Sequence, residues 1–178
     1  MIRLAGLSDL DAIDAIYRDI HDGEEAGRTT IGWIRSVYPT RATAEASIRA
    51  GDMFVMEEAG VIVAAAKINR EQVPEYADAD WSADAPPERV MVLHTLVVSP
   101  KKAGRGLGTR FVAFYEAYAS ARGCPYLRMD TNERNRAARA LYAGLGYREA
   151  GIVDCVFNGI PGVRLVCLEK TLKEEPSC

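Results

Sequence analysis

The segment from His94 to Arg110 constrains the fold more than any other. It reads His94-Thr95-Leu96-Val97-Val98, then Ser99-Pro100-Lys101-Lys102-Ala103, then Gly104-Arg105-Gly106-Leu107-Gly108-Thr109-Arg110. The pattern predicts a strand, a short basic loop and the start of a helix. The strand is almost wholly apolar, as expected where both faces of a sheet are covered. Pro100 stops it. Gly104, Gly106 and Gly108 carry no side chain at the turn, so backbone amides can approach a bound group closely. The helix begins with free N–H groups and the positive end of its dipole. A phosphate or pyrophosphate fits such a place.

Two nucleotide-binding motifs share these features, and neither fits. A P-loop ends in Gly-Lys-Ser/Thr, whereas Gly108 is followed by Thr109 and Arg110. A dinucleotide fingerprint needs Gly-x-Gly-x-x-Gly in an early strand–helix unit, and here its third glycine falls on Thr109. The 178 residues suffice for one domain with a sizeable core, expected over 1–172 with a short tail at 173–178. A net charge of −3 gives no electrostatic case for binding nucleic acid or an anionic membrane. No apolar run is long enough to cross a bilayer. Cys124, Cys155, Cys167 and Cys178 show no metal-ligand spacing and no Cys-x-x-Cys pair, so no metal is expected. Without a signal peptide they read as free thiols in a reducing cytoplasm.

Along the chain, Met1 to Ala5 reads as a strand and Ser8-Asp9-Leu10-Asp11 as a capping box. Leu10, Ile13, Ile16, Tyr17 and Ile20 make a helical apolar face, broken at Asp22-Gly23-Glu24-Glu25. Thr30 is placed to cap a short helix reaching Tyr38, and Thr40 a second one ending at Gly51. A hairpin follows around Ala59-Gly60. Residues 70–89 form a long acidic segment, read either as a functional loop or as a solvated excursion. Val90 to Val98 is the central strand. A helix spans Leu107 to about Arg122, a strand Tyr126 to Asp130 and a helix about Asn135 to Leu145. Tyr147 to Phe157 and Val163 to Thr171 make a last hairpin across Asn158 to Gly162. The order β-α-α-β-β-β-α-β-α-β-β predicts an α/β (α+β) fold: a mixed sheet flanked by helices, not a doubly wound dinucleotide fold.

A second informative stretch is Asn135-Arg136-Ala137-Ala138-Arg139-Ala140-Leu141-Tyr142, followed by Leu145-Gly146-Tyr147. Taken with the glycine loop, it resembles the GNAT family of N-acetyltransferases, and the element order agrees over nearly the whole chain. The family's Gln/Arg-x-x-Gly-x-Gly/Ala signature is met by Gly106 and Gly108, but its first position holds Ala103. The later Asn-x-x-Ala-x-x-Leu-Tyr pattern is met by Asn135, Ala138, Leu141 and Tyr142, with Gly146 and Tyr147 beyond. The resemblance implies a splayed sheet and acetyl-CoA as acyl donor. Leu96, Val97 and Val98 would then offer backbone groups to the pantetheine arm. Gly104, Arg105, Gly106, Leu107, Gly108 and Thr109 would hold the pyrophosphate, with Asn135 near the arm and Tyr142 near the sulfur. Lys101, Lys102 or Arg105 would supply the charge missing at Ala103.

Acetyl transfer to an amine needs a base, a stabilised thioester oxygen and a proton for the leaving thiolate. A backbone N–H near Val97 is the candidate for the oxygen. Tyr142 suits the third role, because a phenol keeps its proton at neutral pH. Asp130, His94 and Glu88 are the candidate bases, against blander readings as turn cap, core histidine and loop residue. Cys124 and Cys155 have no histidine paired with them in sequence, so direct transfer is expected. Trp33, Tyr38, Tyr76, Trp81 and Phe157 are nominated for the acceptor site. The acidic segment favours a cationic small-molecule amine by steering. A protein N-terminus or lysine is the alternative acceptor, and a non-catalytic acyl-CoA sensor the alternative of another class. An apolar final hairpin would line a pocket or pair with a second copy in a homodimer.

Overall fold

Strand β1 (Ile2–Leu4) leads through a 3-10 turn into helix α1 (Leu10–Glu25). The computed structural model describes residues 1–173. Helix α2 (Arg41–Ala50), strands β2 (Met53–Glu58), β3 (Val61–Asn69) and β4 (Val90–Val98), and helix α3 (Leu107–Ser120) follow. Then come β5 (Tyr126–Asn132), α4 (Arg136–Gly144), β6 (Arg148–Phe157) and β7 (Ile160–Thr171). The strands form one sheet in the order β1-β2-β3-β4-β5-β7-β6. Only β4 and β5 run parallel, joined by the crossover helix α3. The predicted mixed α/β architecture is therefore the observed one.

The sequence punctuation acts as expected at most boundaries. Thr40 caps α2 through its hydroxyl, which accepts from the Thr43 amide at 3.3 Å. Gly51 ends α2 in the left-handed region with φ 77°. The β2–β3 turn has positive φ at both Ala59 and Gly60, the form that matches strand twist.

Other boundaries differ. The Asp9 carboxylate, rather than a Ser8 box, organises the start of α1: it accepts from the Gly6 amide at 2.8 Å and from Arg3 at 2.7 and 2.9 Å. Helix α1 continues through the polar break to Glu25, with Gly23 buried beneath the following loop. The short helix expected from Thr30 to Tyr38 is absent. The Thr30 hydroxyl donates to the Arg134 carbonyl at 3.0 Å instead of capping, and Glu24 takes the Ile31 and Gly32 amides at 2.7 and 2.8 Å. The last hairpin turn is only Asn158-Gly159, so Pro161 and Gly162 already belong to β7. Tail residues 174–178, with Cys178, lie outside the described residues.

Residues 70–89 are an ordered part of the molecule. Tyr76 is buried, and Val90, Val92, Leu165 and Cys167 pack with it. The Asp80 amide donates to the Ala150 carbonyl at 2.7 Å, and Arg128 stacks 4.2 Å over the Trp81 ring. This segment and the helix pair α1–α2 cover one face of the sheet, while α3 and α4 cover the other.

Tyr115 of α3 pins that second layer to the paired half of β4 and β5. Its buried hydroxyl donates to the Met91 carbonyl at 2.6 Å and lies 3.2 Å from that of Arg128. Tyr115→Phe leaves a buried carbonyl without its donor. The expected loss is about 1–3 kcal/mol of stability, read as a lower urea midpoint at unchanged slope.

Candidate active site

The site begins where β4 and β5 part. Their pairing runs from Val90↔Tyr126 to Leu93↔Met129 and stops. Beyond it β5 pairs only with β7, and β4 only with β3. Leu96, Val97 and Val98 therefore have a ladder on one side and an open edge on the other. A bulge marks the change. Lys67 faces His94 and Ala65 faces Val97, so β4 has one residue more than β3 across this interval. Thr95 takes φ 52° there, a costly conformation for a β-branched residue. Its hydroxyl is hydrogen-bonded to the Tyr38 hydroxyl. The bulge also shifts the side-chain alternation. Val92 and Val97 pack toward α1, α2 and the 70–89 segment, whereas Leu93, Leu96 and Val98 pack toward α3 and α4.

The open edge faces a cleft of about 1040 Å³. Of the residues singled out from sequence, His94, Leu96, Val97, Val98, Asp130, Asn135 and Tyr142 all line it. So do Trp33, Tyr38 and Phe157. Toward the glycine loop the wall ends at Pro100 and Ala103, and Gly104, Arg105, Gly106, Leu107, Gly108 and Thr109 lie beyond it. Gly104 and Gly106 have φ 77° and 70°, which glycine alone adopts freely. Gly108 serves a different purpose: a Cβ there would lie 3.1 Å from Leu141 of α4. No side chain caps α3, so its first amides stay open to a ligand. Lys101 pairs with Asp19, while Arg105 and Arg110 share Glu58. Exposed pairs of this kind are weak enough to yield to a phosphate.

At the inner end the chemistry concentrates. Tyr142 is buried and its hydroxyl has no protein partner among the described residues. Burial first, and Asp130 second, hold its pKa well above the ordinary phenol value. The Asp130 carboxylate accepts from the Tyr76 hydroxyl at 2.8 Å. Burial raises its pKa to about 6, against which the Tyr76 bond acts. His94 is bonded to Asn69 at 3.0 Å. Burial, then Lys67, lowers its pKa to about 4, so it is neutral and weakly basic at pH 7. Asn135 caps α4, its Oδ1 accepting from the Ala138 amide at 3.1 Å, which leaves Nδ2 for the cleft. Glu88 is exposed and lies two residues before β4, at the far end of the strand from the splay. Trp81 lies outside the cleft wall, and Tyr76 acts from behind Asp130.

Sequence reasoning did not find Lys67 and Glu71, which line the cleft with His94, or Asn69, which bonds His94 from behind that wall. Lys67 bonds Glu71 at 2.6 Å, and Asn69 bonds it at 2.9 Å. Their alternate spacing on one strand and the loop after it is too common a pattern to single out.

The comparisons with known proteins agree with this geometry. Residues 13–147 match the model of the acetyltransferase (GNAT) family. The chain belongs to that family. Over 72 residues it is 36% identical to the uncharacterized N-acetyltransferase YhfO of Bacillus subtilis, a match spanning 40% of this chain and 48% of that protein. Among solved structures, a GNAT-family acetyltransferase from Streptococcus agalactiae is 24% identical, with a TM-score of 0.82 over 97% of this chain and 95% of its own. The putative acetyltransferase yncA of Salmonella typhimurium, solved with its cofactor acetyl-CoA, is 20% identical. Its TM-score is 0.69 over 100% of this chain and 96% of its own. These two likenesses bear on the fold.

The raised pKa of Asp130 carries a stability cost whose pH window follows from its sign. The folded chain holds this proton more tightly than the unfolded one. Below the ordinary aspartate value both states are protonated and nothing is lost. Above pH 6 the half-buried carboxylate is charged and the penalty is complete. Asp130→Asn is therefore expected to stabilise the protein by up to about 3 kcal/mol at pH 7.5. The gain shrinks below about 1 kcal/mol at pH 4, as thermal melts at the two pH values will show.

Proposed function

We propose that this chain, acting as one domain over residues 1–172, transfers the acetyl group of acetyl-CoA to a primary amine of a small molecule. The observation that carries the reading is the open β4 edge, which runs from an uncapped helix terminus to a buried pocket holding Tyr142 and Asp130. An edge with unmet backbone groups takes an extended chain of amide groups as a further strand, and the pantetheine arm is such a chain. The α3 N-terminus and the two left-handed glycines suit a pyrophosphate. Asn135 Nδ2, left over by the cap of α4, supports a bond to the arm.

In this reading Asp130 takes the proton that the ammonium must lose. The neutral nitrogen bonds to the acetyl carbon, and a backbone amide of the open β4 edge near Val97 steadies the charge on the carbonyl oxygen. The carbon–sulfur bond breaks, and Tyr142 gives its proton to the leaving sulfur, recovering one from solvent. His94, neutral and tied to Asn69, shapes the wall rather than moving the proton. Cysteine acylation fits poorly. Burial raises the Cys155 thiol and pushes Cys167 up to about 12, so neither is a ready nucleophile. Direct transfer with both substrates bound follows.

The acceptor side is roofed, which favours a small molecule over a protein terminus. Residues 28–38 reach the β5–α4 loop through Thr30 and Arg134. Gly32 lies so close to Asn132 that a Cβ would fall 2.5 Å from its Nδ2. At the other end Val37 meets the β6–β7 turn at Gly159.

Thiol release from acetyl-CoA with a panel of amines tests this function. Tyr142→Phe is expected to lower kcat by about 100-fold or more, with acetyl-CoA affinity by calorimetry little changed. For the native enzyme, kcat/KM should fall about tenfold per pH unit below pH 6, and Asp130→Asn should lack that limb. Tight acetyl-CoA binding without release from any amine or peptide would rule the reading out.

A further inference from the structure

Resting on the reading above, we propose that the acceptor is a monoamine with an aromatic body, its one ammonium bound at Asp130 and its ring between Trp33, Tyr38 and Phe157. The argument starts from charge. The carboxylates on the cleft wall are Asp19, Glu71 and Asp130. Asp19 is paired with Lys101 at 2.8 Å, and Glu71 with Lys67 at 2.6 Å. Asp130 has no cationic partner among the described residues and bonds only the neutral Tyr76 hydroxyl. The wall thus offers one unneutralised negative charge, at depth. A polyamine or an aminoglycoside would have to desolvate several ammonium groups for one partner, which is unfavourable. Of the acidic residues of the 70–89 segment only Glu75 acts on Asp130 through its charge, and it stands off the cleft wall, as do Asp78, Asp80, Asp84 and Glu88, so Asp130 remains the one unpaired carboxylate a bound ammonium meets directly.

A carboxylate on the acceptor is disfavoured by the same inventory. Lys67 is neutralised by Glu71, and Arg28, which has no carboxylate partner among the described residues and donates to the Asp22 carbonyl at 3.2 Å, is exposed, where a pair with a ligand carboxylate contributes little. The body of the acceptor is set by the other walls. Trp33 and Tyr38 meet edge to face at 6.2 Å, both half-buried, with Phe157, Ile160 and Val163 in the same apolar cluster. Half-buried rings facing a cleft are surface that an apolar ligand can remove from water. Tyr38 is committed through its hydroxyl to Thr95, so it presents its ring rather than a hydrogen bond.

The test compares 2-phenylethylamine, methylamine, spermidine, kanamycin and phenylalanine as acceptors by thiol release. Binding of each amine to the CoA complex is measured separately by calorimetry. We expect kcat/KM for 2-phenylethylamine to exceed that for each of the others by at least about 30-fold. Trp33→Ala and Phe157→Ala should each weaken 2-phenylethylamine binding about tenfold or more while leaving CoA affinity unchanged. The two variants sit in different segments, so misfolding of one leaves the other. Preference for spermidine or kanamycin would overturn the aromatic class while keeping the transferase, and preference for phenylalanine would overturn the charge argument. Binding of 2-phenylethylamine that depends on Trp33, without acetylation of any amine, would support the pocket and refute the transferase. No binding and no turnover with 2-phenylethylamine would overturn the inference.

Discussion

A buried sheet must pair its backbone groups, and β4 stops doing so on one side after Leu93. The rest of the site depends on that interruption. Amide and carbonyl groups left at such an edge need either water or a ligand. The bulge at Thr95 sharpens it by inserting one residue against β3, and the Tyr38 hydroxyl holds that residue in a strained conformation. Helix α3 fits its N-terminus to one end of the opening, while β5 carries Asp130 away toward β7 at the other. One break in a ladder thus makes both a groove and the pocket at its inner end.

The electrostatics of the cleft are as economical as its backbone. Around the glycine loop Lys101 is held by Asp19, and Arg105 and Arg110 by Glu58, in exposed pairs that cost little to exchange for phosphate. Deeper in, Asp130 and Tyr142 are shifted in the same direction by burial, and each holds its proton more tightly than in water. Their different ordinary values still separate their states near neutrality: one is a carboxylate above pH 6, the other a protonated phenol. Environment and chemical identity together set the two protonation states apart.

Most of the fold was legible because its signals are local. Thr40 and Gly51 bound α2, Ala59-Gly60 turns a hairpin, and Leu107, Phe111 and Tyr115 recur at helical spacing. The readings that failed concern residues whose partners are distant in sequence. Thr30 looks like a helix cap, yet its hydroxyl goes to Arg134, and the amides after it go to Glu24. The acidic residues of 70–89 suggested a solvated loop or a steering surface. Tyr76, spaced unremarkably among them, is what ties the segment under Asp130. The glycine loop and Asn135 were visible as motifs; the cluster of Lys67, Asn69 and Glu71 around His94 was not.

The sequence by itself determined the order of elements, the buried central strand, the turn glycines and the positions of Tyr142 and Asp130. These depend on propensity, periodicity and backbone φ, which are properties of neighbouring residues. Tertiary structure alone decided where β4 and β5 separate, which carboxylate on the cleft wall stays without a cation, and how far residues 28–38 close the acceptor side. Those outcomes depend on pairing register, desolvation and contacts between segments about a hundred residues apart, as Thr30 and Arg134 are. No local pattern encodes a dielectric environment or an absent partner, so the electrostatics of these residues emerge only once the chain has folded.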